Sequence, residues 1–296
     1  RHRYDLEIYK KDVALNAVKA VQMDLLEYFM KVCEENDLSC CVFYGTLLGA
    51  VRHKGYVPWD DDVDLLMPRK DYDKLLRLKE VVFREPYFLQ TPESDTECFY
   101  GGYSKLRNSK TAGLEERNRG HNCNQGIWID IFPLDYVLKD EKQKQEQQEQ
   151  ILFYQRLLLK KTYPEKRMLW DMSEQEEADF LRMSKYFKRE TLCQNLYKEM
   201  VHFEGERSDQ VAVLARYRGN MQYKEYPANC FEYLIPCEFE QTQVYIPNGY
   251  EQCLIQSYGS NYALYPQESE RVPHHNAIYD TTKSYIDYIR ETGYNT

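Results

Sequence analysis

Four carboxylates crowd into five positions at residues 58–68, PWDDDVDLLMP, at the head of an otherwise apolar run. Like charge at that density must be relieved either by solvent on a flexible turn or by a bound cation, and the choice constrains the fold. A lone DxD motif is more often a solvated surface pair. Here the flanks favour the cation: VDLLM is β-prone and apolar, and Pro58-Trp59 is a stiff, bulky lead-in. If Asp62-Val63-Asp64 belongs to a strand, Asp62 and Asp64 share one face while Val63 and Leu65 point to the other. Two carboxylates held that close raise each other's pKa unless a cation is present. The ion expected is Mg²⁺, with Mn²⁺ as the alternative, because hard cations take one or two carboxylates and complete their shell with water and phosphate oxygens.

The surroundings extend the argument. CCVFY at 40–44 reads as a buried strand ending at Gly45, and TLLGAVR after it as a helix. Gly45 and Thr46 then stand where a helix N-terminus favours a phosphate. A second strand spans Val63 to Met67, stopped by Pro68. Further strands are expected over Tyr100–Arg107 and over Ile127–Phe132, the latter ending at Pro133. In GIWIDIFPLD, Asp130 sits among apolar residues, where an ionised carboxylate without compensation costs several kcal/mol. It is the third candidate ligand, whereas Asp135 reads as structural. Helices are expected over Leu15–Val32, Asp71–Val82 and Asn248–Tyr258, and strands over 211–217, 231–236 and 237–247.

Residues 139–150, KDEKQKQEQQEQ, contain no apolar member and read as a solvated helical face or linker leading into a helix at Tyr154–Lys161. The pattern is helical again over Ser173–Phe203, opened by a capping box at Ser173 and Glu176. The formal net charge of −9 argues against a general nucleic-acid binder, so an anionic substrate must be held by local cations. Arg52, His53 and Lys54 lie between the Gly-Thr turn and the carboxylates, while Lys105 and Arg107 are two apart on a strand and so share a face. Arg271, His274 and His275 are expected to close over donor or acceptor. His53 is equally readable as a packed turn residue. The nine cysteines show no paired CxxC or zinc-finger spacing and read as reduced thiols. With no apolar run near the roughly 20 residues of a membrane span, the expectation is a cytoplasmic protein.

GTLLGAVRHKGYVPWDDDVDLLMPRKDY, residues 45–72, resembles the signature of the LicD family of phosphotransferases, which is also similar to the fukutin-related proteins. IDIFPLD at 129–135 is similar to that family's second motif, and residues 239–275, through RVPHH, resemble its C-terminal end. The resemblance implies an α+β fold, a nucleotidyltransferase-like mixed β-sheet flanked by helices, with a helical insertion. A single domain would span 1–296, with a core near 38–137, the insertion near 139–203 and a C-terminal β-hairpin and helix segment near 210–296. It further implies transfer of a phosphorylated alcohol, best known as phosphocholine, from a CDP-alcohol donor to a glycan hydroxyl with release of CMP. Cell-surface polysaccharide, lipopolysaccharide or teichoic acid would be the setting, and a lipid-linked acceptor would draw the protein to a membrane surface. Asp62, Asp64 and Asp130 would be the catalytic metal ligands, and Asp60 lies close enough to join or support them. Asp61, facing oppositely in a strand, is the weakest candidate. Asp130 would share a metal or accept the proton of the incoming hydroxyl. Two rivals stand beside this: a nucleotidyltransferase building an NDP-alcohol, and a non-catalytic glycan-binding relative.

Overall fold

The structure is a computed structural model that describes residues 2–201, 207–220 and 222–295. A long helix, α1 (His2–Glu35), buries Val18, Leu25, Phe29 and Val32 at the three-to-four-residue spacing that puts them on one face. It stops where Asp37 turns left-handed, at φ 51°. Strand β1 (Cys41–Val42) leads directly into α2 (Tyr44–His53), with Tyr44 itself at φ 47°. The expected strand over 40–44 is thus cut short and the helix begins before Gly45. The acidic segment then runs into β2 (Asp64–Pro68), and α3 (Arg69–Val82) follows. The strand opens at Asp64, so Asp60 to Val63 lie in irregular chain and the alternation expected for Asp62 and Asp64 does not hold as strand geometry.

Strands β3 (Tyr87–Gln90), β4 (Ser104–Asn108), β5 (Ala112–Glu115) and β6 (Ile127–Leu138) come next. The main mixed sheet has the order β1-β2-β6-β4-β3, and only β2 and β6 are parallel. That central pair sets Asp64 opposite Asp130. Contrary to the sequence expectation, β6 does not end at Pro133. β4 stops opposite Ile131 and β7 (Arg207–Ala212) begins opposite Asp135, so the proline falls in the gap between two neighbours, where its missing N–H leaves no ladder bond unmade.

The helical insertion is α4 (Glu141–Thr162), α5 (Glu174–Ser184) and α6 (Arg189–Val201). The low-complexity run is the first half of α4, started by the Asp140 side chain accepting from the Gln143 N–H, and the Ser173–Glu176 capping box opens α5. Ile151, Leu158, Leu192 and Leu196 form a core of their own, distinct from the cluster beneath the main sheet. The expected helix over Ser173–Phe203 is broken in two, and its last two residues fall outside the described residues. β7 ends at Ala212, short of the expected 217. After β8 (Tyr226–Pro227) come the hairpin β9 (Leu234–Phe239) and β10 (Thr242–Pro247), then α7 (Tyr250–Tyr258). The chain finally crosses back: β11 (Ala277–Asp280) pairs with β5, and α8 (Tyr285–Thr292) closes the small core around Ala112 and Leu114. Among the described residues no helix is long and apolar enough to cross a membrane.

Candidate active site

The start of α2 and the start of β2 are tied together backbone to backbone. The Phe43 N–H donates to the Asp64 carbonyl (2.9 Å), and the Asp64 N–H donates to Thr46 Oγ1 (2.9 Å). Thr46 therefore works as a clamp between helix and strand. Gly45 is required by close approach: a Cβ there would stand 2.5 Å from Asp60 Oδ2. The helix N-terminus thus faces a carboxylate, which its dipole favours.

Asp60, Asp61, Asp64 and Asp130 are buried and Asp62 is half-buried. Burial first, then the charges of Asp62 and Asp130, hold the Asp64 carboxyl well above the ordinary carboxylate range, with Arg216 pulling the other way. Burial also raises Asp62, where Asp130 adds to the effect and His275 opposes it. Asp60 is pushed up to about 8 by burial and then by Asp62, and its Oδ1 is buried with no hydrogen-bond partner. Crowded carboxylates, all oxygen donors and one orphaned buried oxygen fit a hard divalent cation. Their oxygens are not drawn into a trio within 4.8 Å of one another.

Asp130 differs from the expectation in one respect. It is not an uncompensated charge, because Lys105 Nζ donates to its Oδ1 at 2.6 Å and both groups are buried. Lys105 is in turn walled by the rings of Tyr100 (4.4 Å), Trp128 (4.7 Å) and Tyr103 (5.6 Å). One of its three N–H donors is thus given to Asp130. Arg107 shares Lys105's face, as their spacing requires, but its guanidinium is wholly buried. It donates to Gln90 Oε1, the Gly126 carbonyl and the Tyr100 hydroxyl, and lies 3.6 Å from Glu115. Lys54 turns away to an exposed pair with Glu238. Arg52 donates to the Tyr262 and Leu264 carbonyls and to His53 Nε2, and His53, its pKa lowered by burial and by Arg52, packs on Tyr265.

A cavity of about 480 Å³ lies beside Asp60, lined among others by Gly45, Arg52, Trp59, Tyr258, Tyr265 and His274. The Arg271 guanidinium sits over the Trp59 and Tyr265 rings, 5.5 Å from each. His274 is exposed, with Nε2 3.6 Å from Asp60 Oδ1. The C-terminal strap is held over the site by Asp61, which accepts from the backbone N–H groups of His274 (2.9 Å) and His275 (3.3 Å) and from the Tyr279 hydroxyl (3.4 Å). His275 Nδ1 lies 3.3 Å from the same carboxylate and 3.8 Å from Asp62. Although burial opposes it, these bonds from His275 and His274 keep the Asp61 carboxyl below its ordinary pKa. Asp61 is the fastener of this strap.

One cation escaped the sequence reading. Arg216 is bridged to Gly101 by backbone pairing, and Gly101, at φ 136°, would bring a Cβ to 2.2 Å from the Ala215 carbonyl. Burial would lower the Arg216 pKa, but Tyr103, Asp64, Tyr44 and Asp130 outweigh it and raise it. It is the guanidinium in electrostatic reach of both strand carboxylates. The available signal was the RYR stretch, residues 216–218, directly after the apolar run 211–215.

Two predictions arise here. Asp61→Ala is expected to loosen residues 274–280, at a local cost of about 3 kcal/mol from lost charge-assisted hydrogen bonds. Hydrogen exchange would report this as deprotection confined to the strap and β11, and unchanged exchange there would contradict it. The second concerns pH. The folded state binds the Asp60 proton more tightly than the unfolded chain, whose ordinary value is 3.8. Without metal this group therefore subtracts stability progressively as pH rises from about 4 towards 8. Asp60→Asn is expected to match the wild type near pH 4 and to exceed it by a margin that grows steadily up to pH 8 in denaturant unfolding. A difference that stays constant with pH would count against the assignment.

A mixed sheet whose central parallel pair presents opposed carboxylates, fed by a Gly-Thr helix start, defines a nucleotidyltransferase-type domain. Residues 37–156 match the LicD/FKTN/FKRP nucleotidyltransferase domain. It is also 28% identical, over 90% of its own length and 97% of the relative's, to the lipopolysaccharide cholinephosphotransferase LicD of Haemophilus influenzae. An uncharacterized protein of Rickettsia prowazekii is 27% identical over 52% of this chain and 45% of that protein.

Proposed function

We propose that this protein is a metal-dependent transferase that moves a phosphorylated alcohol, phosphocholine in the first instance, from a CDP-alcohol to a glycan hydroxyl and releases CMP. One observation carries the reading: Asp64 and Asp130 are register partners on the parallel strands, with Asp62 leading into the first. Similarity over nearly the whole chain to a cholinephosphotransferase supports the choice of transferred group.

Asp62, Asp64 and Asp130 would hold Mg²⁺, which when bound neutralises diphosphate charge and stabilises the leaving CMP. Lys105 fixes the Asp130 carboxylate in place and suits it to holding the ion more than to taking a proton. Asp60, the carboxyl of the cluster outside this ligand set, has a buried Oδ1 without a hydrogen-bond partner and is the one left to accept the proton of the attacking hydroxyl. Arg216, in electrostatic reach of Asp64 and Asp130, would supply positive charge to the phosphates. The cavity beside Asp60 offers aromatic faces to a quaternary ammonium, with Tyr258 as the ring that carries no guanidinium among those described above. A lipid-linked acceptor would be met at the cytoplasmic membrane surface.

The test is CMP release from CDP-choline, CDP-ethanolamine and CDP-glycerol with Mg²⁺, with and without saccharide acceptors. Acceptor-stimulated CMP release, greatest with CDP-choline, is expected. A second reading rests on the description of the domain itself as a nucleotidyltransferase. Under that reading CTP and a phosphorylated alcohol would yield pyrophosphate, and pyrophosphate without CMP release from any CDP-alcohol would overturn the first.

A further inference from the structure

Away from the acidic centre, the turn after β3 and the stretch before β6 bring together three side chains of a different kind. Asp95, Cys98 and Cys123 each present one ligand atom within 4.8 Å of the other two, and all three are buried. The two segments are already joined there: Asp95 Oδ2 accepts from the Asn124 N–H (2.8 Å) and from Gln90 Nε2 (2.8 Å). Two sulfurs and one carboxylate form a softer donor set than the all-oxygen centre at Asp62 and Asp64, and thiolates select zinc over magnesium. Zinc bonds of about 2.3 Å to sulfur and 2.0–2.2 Å to oxygen put tetrahedral neighbours roughly 3.3–3.8 Å apart, inside the 4.8 Å that bounds the spacing here.

We propose that Asp95, Cys98 and Cys123 bind a structural Zn²⁺ ion, with water as fourth ligand, that pins the loop after β3 to the entry of β6. Binding releases the two thiol protons and leaves two thiolates, one carboxylate and one divalent cation, a net charge of −1. The wholly buried Arg107 guanidinium is in electrostatic reach of Cys98 and Cys123 and offsets that charge. Gln90 connects the two, donating to Asp95 and accepting from Arg107 Nε. Arg107 in turn holds the Tyr100 hydroxyl, and the Tyr100 ring walls Lys105. The ion would therefore brace the residues behind Asp130 without touching the reacting groups.

The experiment uses the full chain, purified under reducing conditions, stripped with chelator and reloaded with Zn²⁺ or Co²⁺. About one zinc per chain is expected to survive desalting. The Co²⁺ form is expected to show a thiolate-to-cobalt charge-transfer band, which an all-oxygen centre cannot give. Cys98→Ser and Cys123→Ser should each lower retained zinc at least tenfold. Asp95→Asn, which keeps a hydrogen-bond acceptor for Asn124 and leaves both thiols in place, should weaken zinc binding while preserving the fold, so the result does not depend on the cysteine variants folding. Absence of the cobalt band in the wild type would overturn the site, as would equal zinc retention in Cys98→Ser or a Cys98–Cys123 disulfide in the peptide map of the reduced preparation. These readouts are independent of CMP release, so failure here and failure of the proposed transfer reaction are separable.

Discussion

Asp64→Asn is expected to reduce transfer by about 10³-fold or more while the metal-free protein melts at or above the wild-type temperature. The two effects have one cause. The carboxyl is held well above its ordinary pKa by burial and by Asp62 and Asp130, so the metal-free fold bears the cost of keeping it where it is. Asparagine has nearly the same shape, leaves the backbone bond to Thr46 Oγ1 intact and removes the charge conflict. A residue kept for packing would show the opposite, lost stability with retained activity. Steady-state CMP release and differential scanning fluorimetry on the same preparation distinguish the two cases.

Arg216→Ala is expected to lower kcat/KM by about 10²-fold, the scale of removing one fixed cation from a phosphoryl-transfer site. Here stability should move the other way from Asp64→Asn. Asp64 and Asp130 would lose the guanidinium that counters their mutual repulsion, and the metal-free protein should melt lower, more so at alkaline pH. Arg216→Lys should restore part of the stability and little of the rate, because a lysine cannot reproduce a planar two-pronged contact to phosphate. Wild-type kinetics in Arg216→Ala would remove the residue from the site.

The residues that could be read from the sequence were those that broke a local rule. Charge packed against VDLLM marked Asp62 and Asp64, and one acid in an apolar strand marked Asp130. Each conflict is local, so no partner needed to be known. What the sequence left hidden concerns residues whose meaning lies in a distant partner. Asp61 looked the weakest of its run, yet its partners His274, His275 and Tyr279 lie 213 to 218 positions away. Arg216 lies in the expected strand 211–217 with nothing to single it out, and its pairing with Gly101 sets it at the approach to β4. Lys105 and Arg107 were placed on the correct shared face, because strand periodicity fixes it. What each guanidinium or ammonium donates to depends on Asp130, Gln90 and Gly126, which periodicity cannot supply. The same limit explains β6, whose passage through Pro133 depends on where its neighbours end.

Titration of the chelator-stripped protein with Mn²⁺, followed by the loss of the free-ion electron paramagnetic resonance signal in the presence of CDP-choline, tests the central claim most directly. Wild-type protein should take up the ion, Asp62→Asn, Asp64→Asn and Asp130→Asn should each weaken uptake at least tenfold, and Cys98→Ser should leave it unchanged. Wild-type affinity in Asp64→Asn and Asp130→Asn would mean that the opposed carboxylates of β2 and β6 do not hold the ion.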